Sequence, residues 1–560
     1  MPPNGAANRI RVAVDGCGHG KLNVMYDAIA RASTDSNFAV DLLIICGDFQ
    51  AVRNMTDLEV MSCPPKYREI GDFHEYYSGK RVAPVTTIFI GGNHEASSHN
   101  AELFHGGWVA PNIYYLGASG VIQFGGIRIG GLSGIYKSHD YNRPHSEKLP
   151  FYPSEVRSIY HVRAYDVFKL HQLSGDVDVM LSHDWPANIE HFGDTQGLWR
   201  MKPFFKSDSE KGELGSPPAE GLLKKLRPRY WFSGHMHCKF GAIVKHEGDW
   251  KAEEDGKGGV FAEAKNPDEL ELDLEDAPAA VKNPDELDLD LDDVPPEAAA
   301  VNNPDELDLD LDDTPAAAPT AAQGPAEIDI DIDTTTTEAP TASIPEDTLP
   351  PPPPPTNDLT RFLALDKAMP GREYLQLLAI PSTSATPQPK TLSYDPEFLA
   401  ITRFINRYPA SSADTLTTLQ SLSTASIRAG IARERQWIEE NIVAAGKLEI
   451  PQNFSITAPP YAPGEKVTGQ PANYRSPQTK AFCELLQMTD WVSVTDEEWK
   501  AKKELLKSNP PKYMPPVGGH GGHRGGGFGG GRGGWRGGRG GGGGGGGRGG
   551  GRGGGRGGRD

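Results

Sequence analysis

Cysteine is scarce: Cys17, Cys46, Cys63, Cys238 and Cys483 are the only five in 560 residues, an odd number in no framework spacing. That excludes a small disulfide-stapled scaffold and points to a reducing intracellular compartment. No run approaches the ~18 consecutive apolar residues of a membrane span, and the opening MPPNGAANRI lacks the apolar stretch of a secretory leader. A soluble, non-secreted protein with no membrane partner is expected. Hydrophobic residues are in short supply at 37%, while glycine and proline number 66 and 47. Part of the chain is therefore expected never to pack.

A net charge of −19 ordinarily weighs against nucleic acid. Here it averages over an acidic middle and a basic tail. Residues 9–247 carry RIRVAV, DLLIIC, TTIFIG, VDVMLS and RYWFSG, short apolar runs that each close on a polar or glycine cluster. After the first, HGKLNVMYDAIARA sets Leu22, Met25, Tyr26 and Ile29 at helical spacing. Strands alternating with helices predict an α/β domain. Residues 248–358 contain three imperfect copies, KNPDELELDLEDAP, KNPDELDLDLDDVP and NNPDELDLDLDDTP, then EIDIDID and a proline run. Dense like charge and recurrent proline predict a disordered acidic insert, its period too short for a solenoid. The functional alternative is a docking tract for a basic partner or a mimic of nucleic acid. Folding signals return over 359–500, from TRFLALDKAMPGREYLQLLAI to TKAFCELLQM, and read as a smaller, mostly helical element. Residues 501–560 are expected to be disordered, almost pure glycine and arginine beyond Val517.

Five motifs stand where the apolar runs stop: CGH (17–19), GD (47–48), GNHE (92–95), SHD (182–184) and GHMH (234–237). In open α/β sheets, ligands gather in the crevice beyond the strand ends. A lone histidine in such a place is more often structural, but chance explains five flanked motifs poorly. Imidazole and carboxylate together suit a catalytic divalent site with positions left open for water and substrate.

In this order and spacing the motifs resemble the calcineurin-like metallophosphoesterases, which implies a sandwich of two β-sheets flanked by helices. CGHG in place of the usual D-x-H, with GDFQAVRN, PPKYR, YYSG, GGNHEAS, GGWVAPNIYYLG, SGIYKSHDY and LSHDWP, narrows the resemblance to the lariat debranching family. It covers residues 9–247 and resumes at FLALDKAMPGREYLQ. The resemblance implies hydrolysis of the 2′,5′-phosphodiester at the branchpoint of excised intron lariats, in intron turnover and mRNA processing. It assigns one metal to Cys17, His19, Asp48 and His237, and a second to Asp48, Asn93, His183 and His235, with Asp48 bridging. His94 becomes the acid that protonates the leaving oxygen. Two divalent ions ~3.5–4 Å apart acidify water and clamp both oxygens of an in-line displacement.

Thiolate and imidazole suit softer ions than Mg²⁺ or Ca²⁺, so Fe²⁺ and Zn²⁺ are expected, with Mn²⁺ as a substitute. A metal-bound thiol is deprotonated and keeps the negative charge of the missing aspartate. Cys17 therefore reads as a retuned ligand. The alternative is a packed strand-end cysteine beside an incomplete site. Asp15 stands two residues too early for the D-x-H register.

The stretch 133–163 interleaves Lys137, Arg143, Lys148, Arg157 and Arg163 with Tyr136, Tyr141, Phe151, Tyr152 and Tyr160. Cations suit phosphates and aromatic faces suit unstacked bases. The stretch resembles the family's lariat recognition loop, making Ser133, Lys137, His139, Asp140, Tyr141, Arg157 and Tyr160 candidate RNA contacts. Without the resemblance it is a mixed surface loop. Arg53 follows Asp48 closely enough to reach a substrate phosphate, and a surface salt bridge is its alternative. In the tail, Arg532, Trp535, Arg536 and Arg539 are candidate contacts to other RNA. Association with RNA-binding or spliceosome-associated proteins competes with that role. A nuclear location with shuttling to the cytoplasm is inferred from the substrate alone. The competing functions are a general two-metal phosphatase or nuclease, and a degenerate RNA-binding scaffold.

Overall fold

The computed structural model describes residues 8–246, 269–270, 355–384, 386–467 and 469–508. Nearly all of the acidic insert and the whole Gly/Arg tail, with Arg532, Trp535, Arg536 and Arg539, lie outside the described residues. In chain order the strands are β1 (Arg9–Asp15), β2 (Leu42–Ile45), β3 (Thr86–Phe89), β4 (Gly107–Ala110), β5 (Ile113–Tyr115), β6 (Ser119–Phe124) and β7 (Ile127–Leu132). They continue as β8 (Val179–Ser182), β9 (Tyr230–Ser233), β10 (Phe240–Lys245), β11 (Glu269–Leu270), β12 (Leu359–Ala364), β13 (Leu375–Pro381) and β14 (Leu392–Tyr394). They form two seven-stranded sheets, ordered β11-β13-β1-β2-β3-β5-β4 and β10-β12-β9-β8-β7-β6-β14.

The centre of each sheet is parallel: β1, β2, β3 and β5 in the first, β7, β8, β9 and β12 in the second. LLII of β2 and VMLS of β8 are buried at every position, as strands covered on both faces must be. Ile10, Val12, Leu42, Ile44 and Ile88 meet Ile129, Val179, Leu181 and Phe232 between the sheets. The helix Leu22–Ser36 covers the outer face of the first sheet with Leu22, Met25 and Ile29. The helices Ala164–His171 and Pro217–Leu226 cover that of the second.

The region 359–500, expected to be a smaller, mostly helical element, opens instead with strands before its helices. The start of FLALD closes β12 and LQLLAI lies in β13, and neither is helical. β12 lies between β10 and β9, and β13 pairs antiparallel with β1 from Arg9↔Pro381 to Asp15↔Leu375. Both sheets are incomplete without this region. A short, continuous apolar run reads the same in a helix and in a strand buried on both faces. Helices follow at Pro396–Ile405, Thr415–Ser421, Thr424–Ile438 and Pro477–Leu485. The helix Asp496–Ser508 crosses the expected boundary at residue 501.

Arg53 is a second correction. Its side chain is completely buried, and its neighbours leave it nothing to offer a substrate phosphate. Nε and Nη2 donate to the Asp57 carboxylate at 2.9 and 3.0 Å, while Nη1 donates to Glu102 at 2.9 Å and Thr457 at 3.1 Å. Around it, the Tyr461 amide donates to the Arg53 carbonyl, Asn54 to that of Pro459, and Thr457 and Ala458 to the Tyr77 hydroxyl. The C-terminal segment is thereby latched onto the loop that follows Asp48. The salt-bridge alternative was right in kind, but the bridge is internal.

Two outcomes follow. A fragment ending at residue 247 leaves β9 and β1 each without a neighbour and is expected to be insoluble or to lack a cooperative unfolding transition by circular dichroism. A fragment that melts cooperatively would contradict the shared-sheet architecture. Replacing Arg53 by Leu strands two buried carboxylates, at a cost of about 3–5 kcal/mol, measured by urea unfolding. A stable variant with a raised KM would return Arg53 to the substrate.

Candidate metal centre and active site

All five motifs sit on loops directly after parallel strands of the two sheets, so they converge on one crest. Cys17 and His19 follow β1, Asp48 follows β2, Asn93 and His94 follow β3, His183 follows β8, and His235 and His237 follow β9. Cys17, His19, Asp48 and His237 each offer a ligand atom, and these atoms all lie within 4.8 Å of one another. Nε2 of His19 is 3.1 Å from Nε2 of His237 and 3.6 Å from Oδ2 of Asp48. On the other side of the same carboxylate, His183 Nε2 lies 3.4 Å from Oδ1 and 3.1 Å from the Asn93 side-chain oxygen. The His183 and His235 rings are 5.0 Å apart.

The turns are built for this convergence. His19, Asp48, His235 and His237 all have positive φ, between 40° and 66°, a strained region for residues with a side chain that persists where the surroundings enforce it. Gly92 leaves room that nothing else would: a Cβ there would stand 2.2 Å from Asp48 Oδ1. Gly47, at φ 111°, does the same for His183, whose Nδ1 would lie 2.2 Å from an added Cβ. Glu95 is the clamp. Its buried carboxylate accepts the amides of Phe49 and Gly92 on one oxygen and of Gln50 on the other, at 2.8–2.9 Å, joining the loops that carry Asp48 and Asn93. Burial, then Asp48, pushes its carboxyl up to about 7 against those amides.

The donor set fits divalent ions. Asp48 Oδ2 is buried with no hydrogen-bond partner, an arrangement that costs free energy unless something else satisfies it. Two imidazole nitrogens facing each other at 3.1 Å repel unless a proton or cation lies between them. Burial outweighs Asp48 and drives His19 down to about 3, and burial likewise depresses His235 strongly. Both rings are therefore neutral and present lone pairs. Against its burial, Asp48 is held well below the usual carboxylate range by His183, His94 and the His94 amide. His183 donates Nδ1–H to the Cys46 carbonyl at 2.8 Å, which leaves Nε2 free as a ligand atom. Burial, reinforced by Asp48, raises the Cys17 thiol well above its ordinary range, while the His235 amide donates to its sulfur at 3.0 Å. An ion bound there supplies the positive charge that offsets both causes. Asp15 is completely buried, with neither carboxylate oxygen hydrogen-bonded.

His94 borders the carboxylate: its amide donates to Asp48 Oδ1 at 2.8 Å, and the Asn93 amide nitrogen lies 3.2 Å from its Nε2. The 133–163 stretch is tied to the same crest. Ser133 accepts the Gly91 amide and donates to the Gly117 carbonyl, the Gly134 amide donates to Gly91, and Asp184 accepts the Tyr136 amide. Ser133 therefore holds the GNHE loop in place. Asp140 is buried and holds His161 at 2.7 Å and Arg143 at 3.0 Å, with His139, itself exposed, at 3.5 Å. Tyr141 packs on Tyr136, Tyr160 contacts Ser62 Oγ at 3.0 Å, Lys137 opens the short helix 138–141, and Arg157 is exposed. Lys148 and Arg163 are taken up by Glu498 and Glu147.

Several contributors had no sequence signal. Gln50 reaches His19 Nδ1 at 3.4 Å. The C-terminal region supplies backbone to the thiol loop: Cys17 donates to the Asp366 carbonyl and accepts from the Ala368 amide, and Gly16 donates to Tyr374. A Cβ on Gly16 would lie 2.3 Å from the Asp366 carbonyl oxygen, so only glycine fits that seam.

Comparison with known proteins agrees with this architecture. The family description "Calcineurin-like phosphoesterase" matches residues 10–239 and "Lariat debranching enzyme, C-terminal domain" matches residues 357–491. The lariat debranching enzyme of Drosophila melanogaster is 41% identical over 497 residues, covering 86% of this chain and 78% of that one. The Drosophila pseudoobscura pseudoobscura enzyme is 39% identical over 489 residues, 86% and 77% of the two chains. The Homo sapiens enzyme is 36% identical over 483 residues, 86% and 70%. On a calcineurin-like phosphoesterase fold completed by its own C-terminal strands, the chain belongs to the lariat debranching enzyme family, and it is a metal-dependent phosphodiesterase.

Proposed function

We propose that the chain hydrolyses the 2′,5′-phosphodiester at the branch of lariat RNA, with Cys17, His19, Asp48 and His237 holding one divalent ion and Asp48, Asn93, His183 and His235 the other. The observation that carries this reading is a single buried carboxylate, Asp48, with imidazoles on both sides and one oxygen unsatisfied. Bound divalent ions supply Lewis acidity toward the phosphoryl oxygens and acidify water. His94, fixed by its amide on Asp48, protonates the departing 2′-oxygen, a step worth about 10²–10⁴-fold for a positioned acid. Glu95 keeps Asp48 and Asn93 in register, and Ser133 ties the recognition stretch to them. The thiolate of Cys17 supports Fe²⁺ or Zn²⁺, with Mn²⁺ as a substitute. Lys137, Arg157 and Tyr160 are the contacts we assign to the branched RNA. Asp140 sets the shape of that stretch from within. Arg532, Trp535, Arg536 and Arg539 are proposed to bind other RNA without sequence preference, and the nucleus is the proposed place of action.

The test is protein stripped of metal and reloaded singly with Fe²⁺, Zn²⁺, Mn²⁺ or Mg²⁺, given an RNA with one 2′,5′ linkage beside a linear control. Cleavage confined to the branch, lost in His94→Ala and with its metal preference shifted toward harder ions in Cys17→Asp, is the expected result. Equal cutting of both RNAs would make the protein a general nuclease.

The Gly92→Ala variant places its methyl group on Asp48 and is expected to lose bound metal, read by elemental analysis, together with activity. Gly241→Ala, where an added Cβ meets nothing closer than 4.0 Å, serves as the control. Full metal occupancy in Gly92→Ala would remove Asp48 from the ligand set.

A further inference from the structure

The segment PPKYR, residues 64–68, takes no part in the metal centre, yet it arches along its rim. At one end, Ser62 contacts the Tyr160 hydroxyl of the recognition stretch at 3.0 Å. At the other, the Asp72 amide donates to the carbonyl of Gly20, next to His19, at 2.9 Å. Underneath, Ile70 and Cys63 pack on Val52, Met61 and Ala96, residues of the loops that carry Asp48 and His94. The arch is rigid. Pro64 and Pro65 fix two φ angles, the Tyr67 amide donates to Pro64, and Arg68 donates from its amide to Pro65 and from Nε to Cys63.

Its outward chemistry is cationic and aromatic. Tyr67 is 48% exposed, among the most exposed large apolar side chains of the described residues. Lys66 lies over its ring at 4.6 Å from the centroid. Among the described residues, neither Lys66 nor Arg68 has a carboxylate within ion-pair distance, while the neighbouring Glu69 is engaged by Lys21. An exposed ring between two unneutralised cations fits a nucleobase flanked by phosphates. A protein partner would need apolar area or acidic side chains opposite, and the arch offers one ring on a rigid polar turn.

We propose that the arch at 64–68 binds a single-stranded arm of the branched RNA, with Tyr67 stacking on a base and Lys66 and Arg68 contacting its phosphates. This rests on the proposed reaction and names a contact outside the 133–163 stretch. Because the turn is pre-ordered, stacking there orders little protein that is not already fixed.

The experiment compares the intact protein with Tyr67→Ala, Tyr67→Phe and the double variant Lys66→Gln/Arg68→Gln. Substrates are branched RNAs with long arms and with arms trimmed to one nucleotide. Tyr67→Ala is expected to lower the ratio of kcat/KM for long-armed over trimmed RNA about tenfold, within the range of one lost stacking contact, and Tyr67→Phe to restore it. The double variant is expected to flatten the salt dependence of long-armed RNA binding, with about 0.7 lost from the slope per phosphate contact. An equal loss on both substrates would mark the arch as structural, and unchanged ratios and slope would overturn the proposal. Anisotropy titration of the same RNAs onto metal-free protein reads arm binding independently. If no branched RNA is cut but the Tyr67→Ala binding loss persists, the reaction assignment fails and the arch stands.

Discussion

A carboxylate with an unsatisfied oxygen, buried between imidazoles, is the constraint on which the rest of this molecule depends. Asp48 could not remain ionised and half-bonded at 1% exposure without neighbours that favour its charge. Leaving a buried acceptor unmade costs about 1–3 kcal/mol, and more for a charged group. Two devices hold the arrangement against that cost. Glycines at 47 and 92 let loops approach where any Cβ would collide with a ligand side chain. Glu95 binds three amides from two loops, so Asp48 and Asn93 cannot move independently. The strain of four left-handed residues on the crest is distributed over turns that sheet, clamp and latch over-determine.

The thiol at position 17 belongs to the same balance. A carboxylate there would bring its charge unconditionally, whereas a thiol carries charge only when something positive draws the proton away. Burial and Asp48 both disfavour the thiolate. Cysteine thereby couples the charge of the first ligand set to occupancy by a cation. The C-terminal region participates directly, since Asp366 and Ala368 close the backbone around Cys17. This is the physical reason that the matches to the phosphoesterase and to the debranching C-terminal descriptions cannot be treated as two independent bodies.

What the sequence made legible was the chemistry at strand ends. Each ligand motif follows a short apolar run and holds a glycine or serine, so the place of GHMH already says which end of its element it occupies. Arg53 shows the limit of that reasoning: proximity to Asp48 in sequence said nothing about Asp57, four residues on, and Glu102, 49 residues on, which claim its guanidinium. β13 shows another. Its apolar run carries no clear period, because a strand covered on both faces needs none, and nothing local tells LQLLAI that its partner is the first strand of the chain. Glu95 stood in plain view inside GNHE, but its role depends on the amides of Phe49 and Gln50, and an amide donor has no letter in the sequence.

The same topology explains how the chain carries a long acidic insert beside a site of such tight tolerance. The last residue of β10, Lys245, pairs with the first residue of β12, Leu359. The chain therefore leaves the sheet and re-enters it at one point. Within that stretch, β11 pairs with β13 at Glu269↔Leu378 and Leu270↔Leu377 in the other sheet. β12 fills the slot between β10 and β9. The register of that slot, from Phe240↔Ala364 to Lys245↔Leu359, then delivers Leu365 and Asp366 to the seam beneath Gly16. The precision of the metal centre is set by strand pairing on either side of the insert.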